Sequence, residues 1–134
     1  MKRISLRTRA GKCRITIGAG VFDSFKFEFP ECIGFDIVVL VADEIPFNSA
    51  RVKSLKAFPR RTAVITVKGG EHLKSLDFVS SLYDKFIRAG LTRNGACVSL
   101  GGGSLSDAVG FAAATYMRGI PHYIIPTTLL SMAA

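Results

Sequence analysis

The sequence predicts an α/β domain with a Rossmann-like, mostly parallel sheet flanked by helices. Short apolar segments with β-forming residues alternate with helical patterns along the chain, which is typical of parallel sheets. Three consecutive glycines, at positions 101–103, separate one such apolar segment from the next helical pattern. Hydrophobic residues make up 49% and charged residues 21% of the 134 residues, as in ordinary folded domains. We therefore expect one domain, spanning 1–134, that binds ligands beyond the carboxyl ends of its strands.

The first fourteen residues form a basic segment that differs from the rest of the chain. The net charge of the chain is +8, and this segment holds six basic residues and no acid: Lys2, Arg3, Arg7, Arg9, Lys12 and Arg14. Their alternation with apolar residues predicts a β-hairpin or an edge strand with a solvated basic face. We expect no nucleic-acid partner, because no helix-turn-helix, zinc-finger or RNP-like pattern is present. A basic nucleic-acid-binding module is the alternative from another functional class.

Strands and helices alternate through the remainder of the sequence. We predict strands at 14–17, 35–42, 62–67, 96–100 and 122–125, and helices at 21–27, 47–58, 71–89 and 104–116. The 35–42 segment is almost continuously apolar, which indicates a strand buried on both faces. The 71–89 segment is amphipathic, and Gly90 is a suitable residue to end its helix. Its apolar positions are Leu76, Val79, Leu82, Tyr83, Phe86 and Ile87.

The sequence contains no pattern of a secreted, membrane or metal-binding protein. No run of eighteen apolar residues occurs and the amino terminus is charged, so we expect a cytoplasmic protein without a membrane partner. The three cysteines, Cys13, Cys32 and Cys97, are widely spaced and are expected to be buried thiols. Of the two histidines, we expect His72 to be a solvated helix residue and His122 to begin a strand. No metal site is predicted.

Glycines and polar residues follow each of the predicted parallel strands, so they should gather along one edge of the sheet. They are Asp43, Gly70-Glu71, the glycines 101–103 and Thr127-Thr128. Glycine lets the backbone approach a pyrophosphate closely, and the amino end of the following helix attracts negative charge. The triplet matches neither GxGxxG nor a P-loop, and a tight turn is its alternative interpretation.

The side chains at this edge each have a structural alternative to ligand binding. Asp43 could accept hydrogen bonds from ribose hydroxyls or cap a helix. Glu71 and Lys74 should share one face of the first turn of their helix, where an exposed ion pair is the alternative. Asp107 could bind a ligand or compensate the helix dipole. The two threonines after Pro126 could donate hydroxyl hydrogen bonds to a ligand or form a turn or cap.

With these residues in place, the chain resembles the N-terminal domain of 3-dehydroquinate synthase, a sugar-phosphate cyclase. The resemblance covers most of the chain from Asp43 onward, in the order and spacing of several motifs. These are GExxK at 70–74, Arg93, GGGxxxD at 101–107, GFAA at 110–113, RGI at 118–120 and PTTLL at 126–130.

The resemblance implies that NAD is the cofactor and that a homodimer acts on a sugar phosphate. The implied cofactor-binding residues are Asp43, Gly70, Glu71, Lys74, Gly102, Gly103, Ser104, Leu105, Ser106, Asp107, Thr127, Thr128 and Leu130. Arg118 matches an arginine that, in the family dimer, reaches the substrate phosphate in the partner's site. Its guanidinium offers forked donors to phosphate oxygens.

The sequence departs from the family pattern at two positions of the expected site. Ile45 stands where the family usually has an asparagine, which removes one polar contact to the cofactor. Ser106 stands where the family usually has glycine, so its backbone conformation must be one that other residues can adopt.

Similarity to the family also implies a second domain. The family enzyme converts 3-deoxy-D-arabino-heptulosonate 7-phosphate to 3-dehydroquinate and phosphate in the shikimate pathway. It does so with NAD and a divalent metal, zinc or cobalt, held by a helical C-terminal domain. That domain is absent from 1–134, which stops soon after the last predicted strand with no closing helix expected. We therefore expect a truncated cofactor domain without catalytic or metal-binding residues, inactive by itself.

Two related cofactor domains remain as alternatives. Other sugar-phosphate cyclases share the same N-terminal motifs, so the sequence does not distinguish them. The iron- or zinc-dependent polyol dehydrogenases also have a GGGSxxD turn and a later PTT. Against the dehydrogenases, this chain has Gly110-Phe111 where they typically have Ala-Lys, and Leu129-Leu130 after the threonines.

Overall fold

The computed structural model describes residues 1–48 and 55–133. The strands are β1 Lys2–Thr8, β2 Gly11–Ile17, β3 Val38–Asp43, β4 Thr62–Val67, β5 Ala96–Gly101 and β6 His122–Pro126. The α-helices are α1 Phe25–Glu28, α2 Glu44–Phe47, α3 Leu76–Arg88, α4 Gly103–Thr115 and α5 Leu129–Ala133. Short 3₁₀ turns occupy Phe22–Ser24, Pro30–Gly34, Glu71–Leu73 and Tyr116–Arg118.

Strands β3 to β6 form a four-stranded parallel sheet in the order β4-β3-β5-β6. Val38 of β3 pairs with Thr62 of β4 and with Ala96 of β5, so these strands begin at the same level. Helices lie between successive strands in the sequence, which parallel pairing requires. The prediction of a mostly parallel α/β sheet flanked by helices is confirmed.

The sheet is buried on both faces. Residues 38–42 of β3 are all 0% exposed, as their continuous apolar sequence predicted. One face packs against α3 and α4, which contribute Leu82, Phe86 and Val109. The other face is covered by aromatic side chains that include Phe25 and Phe58. Helix α4, which follows the glycine turn formed by Gly101, Gly102 and Gly103, is therefore fixed to a rigid core.

Strands β1 and β2 form a separate antiparallel hairpin, as predicted, but its basic face is not simply solvated. Arg3 donates two hydrogen bonds of 2.8 Å to the carboxylate of Glu28. Arg14 forms an ion pair with Glu31 and lies over the ring of Phe29. The side chains that alternate with these arginines form the other, apolar face of the hairpin. That face is partly exposed to solvent, with Leu6 49%, Ile15 38% and Ile17 55% exposed.

The predicted 71–89 helix is wrong at its start. Helix α3 begins at Leu76, because the Ser75 hydroxyl accepts a hydrogen bond of 3.2 Å from the Phe78 N–H and caps it. Leu76 and Ile87, two of the apolar positions of the predicted amphipathic helix, are 77% and 64% exposed. Gly90 follows the helix with a φ of 78°, which confirms its predicted role.

The other differences also concern the ends of elements. Residues 49–54 of the predicted 47–58 helix lie outside the described residues, while α2 ends at Phe47 and residues 55–58 form a turn. Strand β3 begins at Val38, three residues later than predicted, because the preceding chain is irregular. The predicted absence of a closing helix is wrong, since α5 follows β6 within the described residues.

The cysteines and histidines differ in their surroundings. Cys32 and Cys97 are buried as predicted, and burial raises the pKa of Cys97 to about 12. Cys13 is exposed on the hairpin, so the prediction was wrong for that residue. His72 is exposed but lies in a 3₁₀ turn rather than in a helix. His122 begins β6, as expected, and burial lowers its pKa to about 4.

None of the helices in 1–48 and 55–133 is both long enough and apolar enough to cross a bilayer.

Candidate functional site

The carboxyl edge of the parallel sheet brings four strand ends to one level. Asp43, at the end of β3, pairs in register with Val67 at the end of β4. Gly101, at the end of β5, pairs with Pro126 at the end of β6. The glycines, acids and threonines that follow these strands therefore lie along one edge, as the alternation of strands and helices predicted.

Asp43 lies between two glycines at this edge. Its Oδ1 accepts a hydrogen bond of 3.1 Å from the Ile45 N–H and caps α2, which confirms the capping interpretation. A Cβ atom at Gly69 would overlap the Asp43 carboxylate, and one at Gly101 would lie 3.4 Å from the Asp43 Cβ. Glycine at position 69 thus makes room for the aspartate, whereas a side chain at position 101 would only touch it. Oδ2 of Asp43 has no hydrogen-bond donor within the described residues and could accept one from a ligand.

Gly69 was not predicted from the sequence as a site residue. Of the two glycines in this loop, only Gly70 was predicted. Gly70 has a φ of 137°, a backbone conformation that favours glycine. The requirement at Gly69 is instead steric, since the carboxylate of another strand occupies the space of its missing side chain. The available signal was the Gly-Gly pair, which follows the predicted 62–67 strand after one residue, Lys68.

A chain of polar contacts connects the β4–α3 loop to helix α4. The Ser104 hydroxyl donates a hydrogen bond of 2.6 Å to Oε1 of Glu71. The Lys74 ammonium lies 3.1 Å from Oδ2 of Asp107 and 3.9 Å from Oε2 of Glu71. These two acids raise the pKa of Lys74, Asp107 chiefly through a hydrogen bond and Glu71 through its charge. The contacts join four of the predicted site residues.

The network orients side chains more than it stabilises the fold. The Glu71 side chain is 83% exposed and that of Asp107 is 65% exposed, so water screens the charges strongly. Glu71 lies in a 3₁₀ turn and Lys74 directly follows it, before α3 begins. Their predicted place in the first turn of that helix is therefore wrong, although their predicted ion pair is present.

Close neighbours, not unusual dihedral angles, favour glycine at the first two positions of the glycine turn. None of Gly101, Gly102 and Gly103 has a positive φ. A Cβ at Gly101 would lie 2.7 Å from Cδ2 of Leu105, and one at Gly102 would lie 3.3 Å from Cγ2 of Thr128. A Cβ at Gly103 would have no neighbour within 4 Å, so this glycine faces open space in front of the helix.

The amino end of α4 is free to receive an anion. Gly102 is its N-cap residue, and no side chain caps the helix there. The N–H groups of the first turn lack intrahelical acceptors, and the first bond inside the helix runs from the Ser106 N–H to the Gly102 carbonyl at 3.1 Å. The thirteen-residue length of α4 supports a substantial dipole behind these donors.

Ser106 adopts helical backbone geometry, so replacing the family's glycine creates no backbone strain. Its hydroxyl is buried and has no hydrogen-bond partner within the described residues. Such an orphaned group in the first turns of α4 is unusual, because buried polar atoms nearly always find partners. It marks this turn as a place where the protein alone does not satisfy its polar groups.

The residues after β6 have structural roles within the chain. The Thr127 N–H donates a hydrogen bond of 2.9 Å to the Gly101 carbonyl, which fixes the end of β6 to the end of β5. The Thr128 hydroxyl accepts a hydrogen bond of 3.2 Å from the Ser131 N–H and so caps α5. The capping interpretation is therefore confirmed for Thr128. Leu130, on the same short helix, is 81% exposed at this edge.

Arg118 is not brought to the carboxyl edge of its own chain. Helix α4 begins at that edge and runs away from it, and Arg118 follows the helix in a 3₁₀ turn, about 20 Å along the axis. Met117 and Arg118 have φ values of 47° and 69°, which are strained for residues other than glycine. The Tyr116 hydroxyl anchors this segment through a hydrogen bond of 2.8 Å to the Leu91 carbonyl.

The carboxyl edge fits a dinucleotide better than it fits a metal ion. Within 1–48 and 55–133 there is no group of three or more His, Cys, Asp or Glu side chains that could hold a metal. The uncapped amino end of α4 suits a pyrophosphate, and the open side of Gly103 allows close approach. Asp43 lies on the neighbouring strand, where an acid suits a ribose hydroxyl.

Known proteins with similar sequences are 3-dehydroquinate synthases. The enzyme of Prochlorococcus marinus strain MIT 9515 is 38% identical over 124 residues, covering 88% of this chain and 34% of the relative. The enzyme of Latilactobacillus sakei strain 23K is 35% identical over 134 residues, covering 98% of this chain and 38% of the relative. The chain thus spans about a third of the length of these relatives.

A similar solved structure is that of 2-deoxy-scyllo-inosose synthase complexed with carbaglucose-6-phosphate, NAD+ and Co2+. It shares 25% identity with a TM-score of 0.81, covering 97% of this chain and 36% of that one. Residues 64–134, which include the glycine turn and the polar network, match the family model of the 3-dehydroquinate synthase N-terminal domain. The chain therefore belongs to the 3-dehydroquinate synthase family and corresponds to its N-terminal domain.

Proposed function

We propose that this chain is the NAD-binding domain of a 3-dehydroquinate synthase. In this proposal the parent enzyme acts in the shikimate pathway, in the cytoplasm and as a homodimer. It converts 3-deoxy-D-arabino-heptulosonate 7-phosphate to 3-dehydroquinate and phosphate. The observation that carries the proposal is the uncapped amino end of α4 beside Asp43 and the Glu71–Lys74–Asp107 contacts. Bound NAD would accept a hydride from the substrate and return it later in the reaction.

Each part of the carboxyl edge has a separate task in binding the cofactor. The first-turn N–H groups of α4 receive the pyrophosphate, and Gly102 and Gly103 let it approach the backbone. Oδ2 of Asp43 accepts a hydrogen bond from a ribose hydroxyl, while Oδ1 remains occupied by the Ile45 N–H. The carboxylate would repel the extra phosphate of NADP, so we propose a preference for NAD.

The polar network keeps the two sides of this cleft together. Lys74 orients Asp107, and Ser104 orients Glu71, so these contacts connect the loop after β4 to α4. Thr127 fixes β6 to β5, and Thr128 and Leu130 complete the far wall. Arg118 is proposed to act on the substrate phosphate of a partner subunit, since α4 directs it away from its own carboxyl edge.

Calorimetric titration with NAD+ and NADP+ tests the cofactor proposal. We expect Asp43→Asn to weaken NAD+ binding about tenfold, because it removes the charge but keeps an oxygen to cap α2. The matched control is Asp84→Asn. It neutralises an exposed acid in the second half of α3, away from the carboxyl edge of the sheet. Equal NAD+ and NADP+ affinity, or equal effects of the two substitutions, would contradict the assignment of Asp43.

The chain by itself is proposed to bind cofactor without completing the reaction. Phosphate release from the heptulosonate phosphate, with NAD+ and either Zn2+ or Co2+ present, should stay at the level of buffer. Release that depends on this protein would overturn the proposed inactivity.

The cofactor domain of another sugar-phosphate cyclase is the second candidate function, and the likeness to 2-deoxy-scyllo-inosose synthase favours it. An NMR titration in the presence of NAD+ discriminates the two candidates. It compares a sugar-phosphate ligand of 2-deoxy-scyllo-inosose synthase with the heptulosonate phosphate. Chemical-shift changes at the carboxyl edge with carbaglucose-6-phosphate, but not with the heptulosonate phosphate, would favour this second candidate.

A further inference from the structure

The amino end of the parallel sheet, opposite the glycine turn, contains a cavity that the cofactor proposal does not use. Its volume is about 590 Å³, within the range of about 300–1,000 Å³ that is usual for small-molecule sites. The lining residues important here are Asp36, Ile37, Arg60, Arg61, Ala63 and Thr92. The four residues of β4 beyond Ala63 separate this cavity from the carboxyl edge by about 13 Å.

The cavity has a net positive charge among the residues that the structure describes. Arg60 and Arg61 both line it, and neither takes part in the ion pairs found within 1–48 and 55–133. Asp36 is the one acid in its lining, which leaves a surplus of one positive charge. Two arginine side chains that line one cavity without carboxylate partners offer it several forked N–H donors for an anion.

The wall that carries the arginines is fixed by hydrogen bonds. The Arg61 carbonyl accepts a hydrogen bond of 2.9 Å from the Val38 N–H at the start of β3. The Thr62 hydroxyl donates one of 2.6 Å to the Pro59 carbonyl, which closes the turn that holds both arginines. The backbone of the two arginines is therefore in place before any ligand binds, which lowers the entropy cost of binding.

The opposite wall is also ordered, and it presents a hydrogen-bond acceptor. The Thr92 hydroxyl donates a hydrogen bond of 3.1 Å to Oδ2 of Asp36 and accepts one of 3.2 Å from the Asn94 N–H. The Asp36 N–H in turn donates to the Asn94 carbonyl at 3.1 Å. Oδ1 of Asp36 has no donor within the described part of the chain.

We propose that this cavity binds a small phosphate monoester that also carries a hydroxyl group. Arg60 and Arg61 bind the phosphate oxygens, and Oδ1 of Asp36 accepts a hydrogen bond from the hydroxyl. Ile37 and Ala63 contact the carbon skeleton of the ligand. The Asp36 carboxylate opposes a bare phosphate ion, so the ester with its hydroxyl binds more tightly than inorganic phosphate does.

NMR titrations of the chain with three probes at fixed ionic strength test this site. The probes are glycerol 3-phosphate, methyl phosphate and inorganic phosphate. We expect saturable shifts at the Ile37 and Ala63 amides and the tightest binding for glycerol 3-phosphate. Arg60→Gln and Arg61→Gln should each weaken it at least tenfold, whereas the matched control Arg7→Gln on the hairpin should leave it unchanged.

Several results would overturn the proposal. They are the absence of saturable binding of glycerol 3-phosphate, an Arg7→Gln effect as large as that of Arg60→Gln, or tighter binding of methyl phosphate. Circular dichroism of the variants checks their folding. The substitutions should not alter it, because these arginines are exposed. The result is independent of NAD binding, because the two sites lie at opposite ends of the sheet.

Discussion

The parallel sheet and the N-terminal hairpin belong to one chain but are stabilised by different interactions. Residues 38–42 in the parallel sheet are completely buried between two apolar layers. In the hairpin, by contrast, Leu6, Ile15 and Ile17 are between 38% and 55% exposed. The hairpin contacts the domain through its arginines, which reach Glu28 and Glu31.

The difference shows that alternating apolar and charged side chains do not determine which face of a hairpin is turned toward the domain. A hairpin usually turns its apolar face inward, since burial of that face stabilises it. Here the charged face is turned toward acids and aromatic rings on the domain. We therefore expect the sheet to unfold only with the whole domain, whereas the hairpin can open separately.

The largest effect should come from removing a buried side chain of the sheet. Leu40→Ala leaves a cavity in a site that is 0% exposed, and we expect it to lower the free energy of unfolding by about 2–5 kcal/mol. Its matched control is Leu6→Ala in the hairpin, where the side chain is 49% exposed and the loss should stay within about 0.5 kcal/mol. Urea unfolding followed by circular dichroism measures both. Comparable losses would show that the hairpin belongs to the same cooperative core.

A smaller effect should follow from acidification of the sheet at His122. Burial lowers its pKa from 6.5 to about 4, so the folded protein keeps this imidazole neutral while the unfolded chain protonates. The free energy of unfolding is therefore unaffected by protonation of His122 above pH 6.5. It decreases as the pH falls toward 4, by at most about 3 kcal/mol. His122→Gln can keep a hydrogen bond to Ser99, whose hydroxyl lies 2.9 Å from Nε2, without this titration.

Urea unfolding between pH 7.5 and 4.5 measures the contribution of His122. The His122→Gln variant should lose less stability over this range than the original protein does. His72→Gln is the control, because it replaces an exposed histidine outside the parallel sheet. Identical pH profiles for the original protein and His122→Gln would refute the assignment.

The buried parts of the fold were predictable from the sequence because burial dictates their patterns. Strand β4 was predicted at 62–67, as observed, and the apolar segment before Asp43 correctly predicted a strand buried on both faces. The common edge of the site followed from parallel pairing alone. The role of those edge residues in binding NAD stays a prediction.

The rest depended on contacts that no local pattern reveals. The hydroxyl of Ser75 sets the start of α3, and Ser75 was a signal for a helix cap that could have been used. Exposure of Ile87 and Leu76 could not be predicted, because it depends on how α3 lies against its neighbours. The orientation of the hairpin likewise depends on Glu28, which is distant from Arg3 in sequence.

The smallest effect on global stability should come from detaching the hairpin. Glu28→Gln removes the charge that Arg3 binds through two hydrogen bonds, in an ion pair where the arginine side chain is 71% exposed. We expect no measurable change in global unfolding. Because an isolated two-stranded hairpin is only marginally stable in water, the amides of β1 and β2 should exchange with deuterium several-fold faster. Glu44→Gln, which alters an exposed acid of α2, is the control.

Acid should reproduce this substitution without any mutation. The hydrogen bonds from Arg3 lower the pKa of Glu28, so the carboxylate form holds the hairpin above the usual glutamate pKa. That attachment is lost as the pH falls through the lowered value, where Glu28 becomes protonated. Hydrogen exchange, corrected for its intrinsic pH dependence, should then show β1 and β2 opening while the amides of β3 stay protected. If β3 lost protection together with the hairpin, the two sheets would form one cooperative unit, and the separation of charge-based from burial-based stability would be wrong.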